Sequence, residues 1–277
     1  MSIIVGKTSG FCRGVKSTVE RLNKILEENS DVYALGDVVH NESVVDYFKK
    51  KGLIVVDDIS NVPDNSNLII RAHGQRKEIY NICQKRNIKV FDLTCGKILA
   101  IRQKVINHSE YFIFIMGKKN HPEVLSTSSF IENYFIIENE DDLEMAFKSY
   151  ENSNINKLYI VSQTTFNTEK FNELVSIISK KYKNAVIDNT ICNATEERQK
   201  ETSSLSKMVD TMIIIGGKNS SNTKELYNIA QKYNDNVILI SNEEELDTSL
   251  LKGSIGIMAG ASTPQNLIDN VIKKIKG

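Results

Sequence analysis

Cysteine is scarce in this chain: there are four among 277 residues, and no two of them form a CxxC pair. That excludes a zinc ribbon, a thioredoxin-type redox motif and a ferredoxin-type cluster run. Neither sign of charge is in excess, with 35 Lys and Arg against 35 Asp and Glu. A chain of zero net charge has no bulk field to draw in nucleic acid or an anionic membrane, so any anion site must be local. Long apolar runs are missing too. No stretch approaches a membrane span, and the first apolar run, Ile3 to Val5, is too short for a signal-peptide core. The expected compartment is the cytoplasm, where thiols stay reduced, so the cysteines read as ligands, catalysts or core fillers and not as disulfides. Neither GxGxxG nor GxxxxGK followed by Ser or Thr occurs, which argues against nucleotide binding by those modes.

What is present is a repeat. Apolar residues make up 40% of the chain and charged residues 25%, an ordinary globular balance. Short β-branched runs recur, each followed by a polar loop and then a helical pattern, which predicts an α/β fold with mostly parallel sheets. Nine such runs are Ser2–Gly6, Val32–Leu35, Asn67–Arg71, Ile88–Asp92, Tyr111–Met116, Lys157–Ser162, Ala185–Asp188, Thr211–Ile215 and Ser254–Met258. The groups just after them are, in turn, Gly10-Phe11-Cys12, His40-Asn41, Ala72-His73-Gly74, Thr94-Cys95, His121-Pro122-Glu123, Gln163-Thr164-Thr165, Thr190-Ile191-Cys192, Ser220-Ser221-Asn222 and Ala261-Ser262-Thr263. A shorter strand inside each third is expected at Leu53–Asp58, Tyr134–Asp142 and Val237–Glu245.

Cysteines stand at units one, four and seven, separated by 83 and 97 residues. Local likeness supports a period of roughly 90 residues, for example between Asp92-Leu93-Thr94-Cys95 and Asp188-Asn189-Thr190-Ile191-Cys192. We expect three pseudo-equivalent α/β domains with mostly parallel sheets around a central cavity, pseudo-threefold and trefoil-like. Their expected bounds are 13–94, 95–191 and 192–277, with 1–12 joining near the third. Ligands of such sheets bind beyond the carboxyl ends of strands, where every group named above lies.

Each constellation has a bland reading to set beside the functional one. Cys83 shares a helical face with Ile79 and Ile82 and reads as core. Cys12, Cys95 and Cys192 each stand on a strand-to-helix loop, where a helix N-terminus favours thiolate. Three thiolates suit either a Cys₃His zinc site or an iron–sulfur cluster with one iron left open. His108 lies in a helical stretch and reads as structural, whereas His40, His73 and His121 follow strands and suit an anion or a metal. Glu123 is either a first-turn helix residue or a proton donor, and the second role needs a raised pKa in a dry site. Asn222 with Glu225 reads as a capping box, and Ser262-Thr263-Pro264 as an N-cap with Pro at N1. Together with Thr164-Thr165, these helix starts also suit a diphosphate. The alternatives left by the residues alone are a zinc phosphoesterase and a non-enzymatic iron–sulfur sensor.

The motifs resemble a known family, the 4-hydroxy-3-methylbut-2-enyl diphosphate reductases (LytB/IspH). The resemblance covers essentially the whole chain and rests on Gly10-Phe11-Cys12-Arg13-Gly14-Val15, Val39-His40-Asn41, Ala72-His73-Gly74, Asp92-Leu93-Thr94-Cys95, His121-Pro122-Glu123-Val124, Gln163-Thr164-Thr165, Ile191-Cys192, Ser220-Ser221-Asn222 and Ala259-Gly260-Ala261-Ser262. It implies one [4Fe–4S] cluster per chain, held by Cys12, Cys95 and Cys192, with one iron not ligated by protein. It implies that His40, His73, His121, Thr164, Ser220, Ser221, Asn222 and Ser262 contact the substrate. Glu123 would supply protons, with Thr164 beside it in the relay. It further implies reductive removal of the hydroxyl to give isopentenyl and dimethylallyl diphosphates, the last step of the non-mevalonate isoprenoid pathway. Ferredoxin or flavodoxin would be the electron donor, and a cytoplasmic monomer without nucleic acid or membrane the expected state. Three positions depart from the family pattern: Gly96 stands where Pro is common, and Ser126 and Ser129 stand where Gly is common.

Overall fold

A computed structural model describes residues 2–277. Its twelve strands are β1 (Ile3–Val5), β2 (Val32–Leu35), β3 (Ile54–Val56), β4 (Asn67–Ile70), β5 (Lys89–Asp92), β6 (Phe112–Met116), β7 (Tyr134–Ile137), β8 (Leu158–Ser162), β9 (Val186–Ile187), β10 (Thr211–Ile215), β11 (Val237–Ile240) and β12 (Ile255–Ala259). Its ten α-helices are α1 (Arg13–Glu28), α2 (Glu42–Lys50), α3 (Lys77–Lys85), α4 (Gly96–Asn107), α5 (Pro122–Ser128), α6 (Leu143–Glu151), α7 (Thr168–Lys181), α8 (Asn193–Ser206), α9 (Ser221–Gln231) and α10 (Gln265–Lys276). All nine predicted runs and the three shorter ones carry a strand, displaced by a few residues at most at their starts.

Three four-stranded sheets result, ordered β3-β2-β4-β5, β7-β6-β8-β9 and β11-β10-β12-β1, and every pairing is parallel. The three orders are one pattern repeated, as the sequence period predicts. The third is completed by the first strand of the chain, with Ile3 opposite Ile255. The cysteine-bearing loops follow β5, β9 and β1, so each cysteine leaves the same edge of its own sheet.

The central strands explain the pattern. All five residues of β6, β8, β10 and β12 are buried, because parallel sheets are covered on both faces and their strands read as unbroken apolar runs. Alternate side chains then feed opposite cores. Phe112, Phe114 and Met116 pack with Phe171, Leu174 and Ile178 of α7, while Ile113 and Ile115 pack with Val105 of α4 and Val124 of α5. In the third sheet Ile213 and Ile257 meet Ile268 and Val271 of α10, while Met212 and Ile214 meet Leu205 of α8 and Leu226 of α9. Cys83 packs with Leu68, Ile70 and Ile88, as its helical face predicts.

The chain divides into two compact units. One comprises 1–19, 39–50 and 193–277 and holds the third sheet. The other comprises 20–38 and 51–192 and holds the first two. No helix among the described residues is long and apolar enough to cross a membrane.

Candidate active site

The three cysteines occupy equivalent places in fine detail. Cys12 directly precedes α1, Cys95 is the N-cap of α4, and Cys192 directly precedes α8. Each backbone N–H reaches a carbonyl just past the neighbouring strand: Cys12 to Ala261 at 3.1 Å, Cys95 to Ala72 at 2.9 Å and Cys192 to Thr164 at 3.0 Å. Every cysteine is thus tied to the strand end that carries another predicted site residue, Ser262, His73 or Thr164. The Val15 N–H donates to Cys12 Sγ at 3.5 Å, so a helix terminus points its positive end at the sulfur. All three thiols are partly exposed, whereas Cys83 is buried and burial pushes its thiol pKa up. Soft, accessible sulfur at three helix starts fits the donor set of an iron–sulfur cluster. Cys12 belongs to one unit, and Cys95 and Cys192 to the other. Within either unit, no three His, Cys, Asp or Glu side chains among the described residues form a ligand group by themselves.

The larger unit gathers the predicted acid and two histidines. Glu123 lies in the first turn of α5 and is 3% exposed. Its Oε1 accepts from the Thr164 N–H at 2.6 Å, and its Oε2 accepts from Thr164 Oγ1 at 2.7 Å. Burial raises the carboxyl pKa from 4.5 to about 7, against the two Thr164 hydrogen bonds that favour the ionised form. Glu123 is thus a first-turn residue of α5, as the bland reading expects, but a buried one. His121 is the N-cap of α5, and its Nδ1 accepts from the Glu123 N–H at 3.2 Å. An imidazole that accepts at Nδ1 carries its proton at Nε2. The His73 and His121 rings meet edge to face, with centroids 5.6 Å apart.

The smaller unit gathers the rest. Ser262 Oγ donates to the His40 carbonyl at 3.0 Å. A Cβ on Gly217 would lie 2.5 Å from that same carbonyl oxygen, so the turn leading to α9 presses directly on the His40 backbone. Ser220 is the N-cap of α9 and accepts from the Thr223 N–H at 3.3 Å. Two capping expectations are corrected by this geometry. Asn222 is not a cap: it lies inside the first turn, 5% exposed, and its Nδ2 has no hydrogen-bond partner among the described residues. Pro264 is itself the N-cap position of α10, while Thr263 Oγ1 donates to the Ile215 carbonyl at 3.0 Å. A buried, unsatisfied amide at a helix start is a place where an anionic ligand would supply the missing acceptor.

His108 serves structure, as expected: its ring stacks on Tyr159 at 3.9 Å and its Nδ1–H donates to the Lys104 carbonyl at 2.8 Å.

A family profile described as "LytB protein" matches residues 3–276. The chain belongs to the LytB family. Among its curated relatives, a Fusobacterium nucleatum protein named 4-hydroxy-3-methylbut-2-enyl diphosphate reductase is 41% identical over 293 residues, covering 100% of this chain. The chain spans only 34% of that relative's length. A Thermoanaerobacter protein of the same name is 35% identical, with 100% of this chain and 97% of that protein covered. The solved structure of E-1-hydroxy-2-methyl-but-2-enyl-4-diphosphate reductase from Plasmodium falciparum matches with a TM-score of 0.92 at 27% identity, covering 100% of this chain and 88% of that one.

In this LytB chain two contacts beside the cysteines are not marked by the motifs. Asp92 Oδ1 accepts from the Thr94 N–H at 2.9 Å, which folds the approach to Cys95. The Ser162 N–H donates to Thr190 Oγ1 at 2.7 Å, which does the same before Cys192. Their signal was the repeated Asp and Thr ahead of Cys95 and Cys192, visible as likeness without an assigned role.

Proposed function

We propose that this chain removes the hydroxyl of 4-hydroxy-3-methylbut-2-enyl diphosphate reductively, giving isopentenyl and dimethylallyl diphosphates as the last step of the non-mevalonate isoprenoid pathway. The observation that carries the reading is Glu123, a carboxylic acid held near neutrality in a dry site beside Thr164 and two histidines, in a chain of this family. Breaking the C–O bond takes two electrons, one proton to release water and one proton to complete the new C–H bond. An acid with a pKa of about 7 donates efficiently at neutral pH.

Cys12, Cys95 and Cys192 would hold a [4Fe–4S] cluster with one iron not ligated by protein. When bound, that cluster supplies the electrons delivered by ferredoxin or flavodoxin. Glu123 holds the proton, and Thr164 Oγ1 passes it onward. His121 offers Nε2–H to a diphosphate oxygen, and His40 and His73 add donors or charge. Ser220, Ser221, Asn222 and Ser262 complete the hydrogen bonds, Asn222 through an Nδ2 that lacks a partner among the described residues. Burial of Glu123 and Thr164 excludes water and raises the carboxyl pKa toward neutrality. We assign the lobes to 13–94, 95–191 and 192–277 with 1–12 joining the third, and the working form to a cytoplasmic monomer.

The test compares cysteine variants after anaerobic purification. Cys12→Ser, Cys95→Ser and Cys192→Ser should each lose iron and turnover, and Cys83→Ser should keep about four irons, the complement of one such cluster. Full activity in an iron-free protein would reject the reading.

A further inference from the structure

Helix α5 carries His121 at its N-cap and Glu123 in its first turn, yet it has only seven residues. So short a helix is not stable by itself and takes its position from tertiary ties. One tie comes from Arg102, two turns beyond Cys95 on α4 and only 9% exposed. Its guanidinium lies over the Phe130 ring at 4.5 Å and near the Tyr80 ring at 5.6 Å. Arg102 Nη2 donates to Ser126 Oγ at 3.0 Å, and Ser126 Oγ donates onward to the Gln75 carbonyl at 3.0 Å. Ser129 Oγ accepts from the Lys77 N–H at 2.9 Å and donates to the Ser126 carbonyl at 2.7 Å. The hydroxyls of Ser126 and Ser129 sew α5 to the segment that follows His73.

The other side of the guanidinium leads back toward Cys95. Arg102 Nη1 donates to Tyr80 Oη at 3.4 Å, and Tyr80 Oη donates to Asp92 Oδ2 at 2.9 Å. No carboxylate among the described residues pairs directly with Arg102. A buried cation is costly unless its donors are engaged; here Nη1 and Nη2 are engaged, Nε has no partner among the described residues, and the two Nη bonds with the ring contacts define its place. Gly74, at φ +79°, makes the meeting possible: a Cβ there would lie 2.6 Å from Ser126 Oγ and 2.7 Å from Arg102 Nη2.

We propose that Arg102, acting through Ser126, is a positioning residue that locks α5 and the loop after His73 to the helix beginning at Cys95. The inference rests on the proposed reduction for its catalytic meaning. A planar fork is required, since a lysine ammonium cannot reach Ser126 and Tyr80 together while stacking on Phe130.

The test uses the cluster-loaded protein and the variants Arg102→Lys, Arg102→Met and Ser126→Ala, with Arg102→Lys retaining the charge should Arg102→Met fail to fold. Steady-state kinetics with the allylic diphosphate and a reductant are paired with hydrogen exchange of the Val124–Ser128 amides. Arg102→Lys should lower kcat tenfold or more, move KM less than threefold and leave iron content unchanged. Its α5 amides should exchange at least tenfold faster, with β6 and β8 unaffected. Ser126→Ala should do likewise, and adding it to Arg102→Lys should cost little more. Unchanged α5 exchange with kcat within twofold, or losses that multiply in the double variant, would overturn the proposal. Loaded wild-type protein that turns over nothing would overturn the reductase reading instead, and the exchange comparison would still decide whether Arg102 holds α5.

Discussion

Replacing Glu123 by Gln should make the protein more stable at pH 8 and leave it unchanged at pH 4. The protonated acid presents a carbonyl oxygen to the Thr164 N–H and an O–H to Thr164 Oγ1. A Gln side chain presents the same pattern with its amide, so it mimics the acid form in the same 3%-exposed site. Burial raises the Glu123 pKa from 4.5 to about 7 on folding. A group with a raised native pKa binds its proton more tightly when folded. The associated stability is therefore complete below pH 4.5 and is lost as pH rises toward about 7. At about 1.4 kcal/mol for each pH unit, the gap is worth about 3 kcal/mol. Urea denaturation of both proteins across pH 4 to 8 measures it, and every other titrating group cancels in the difference. The Gln protein should gain on the wild type between pH 4.5 and 7, levelling near 3 kcal/mol above that range. A difference that stays constant with pH would show that Glu123 titrates as an ordinary exposed carboxyl, and the case for a proton poised in a dry site would fall. The same variant should retain its iron and lose most turnover.

Two further outcomes follow from the same geometry. Thr164→Val removes the hydroxyl that favours the Glu123 carboxylate, so the carboxyl pKa should rise further, read by ¹³C NMR of labelled Glu, and turnover should fall tenfold or more. Gly217→Ala drives a methyl against the His40 backbone carbonyl and should cost about 1–3 kcal/mol in thermal stability and raise the KM for the diphosphate.

The sheets were legible because buried parallel strands write themselves as short β-branched runs with a polar group at each carboxyl end. Cys83 was legible because Ile79 and Ile82 lie on its helical face. The conditions for Glu123 as a donor were stated from sequence, but its depth was not, since His121-Pro122-Glu123 suits a solvated helix start equally well. The cap of α9 was misread as Asn222 because Ser220, Ser221 and Asn222 are all capping types in a row, and only backbone geometry picks Ser220. Helix α8 buries Thr195, Arg198, Gln199 and Thr202, so its inward face carries no apolar stripe to read. Arg102 is invisible for a different reason: its partners Ser126, Tyr80 and Phe130 come from elsewhere in the chain, and nothing in the spacing marks them as neighbours.

The most direct measurement is an anaerobic assay of the cluster-loaded protein with a chemical reductant and 4-hydroxy-3-methylbut-2-enyl diphosphate. The account predicts that the allylic alcohol disappears and that isopentenyl and dimethylallyl diphosphates accumulate together. Loaded, reduced protein that leaves the diphosphate intact would contradict it.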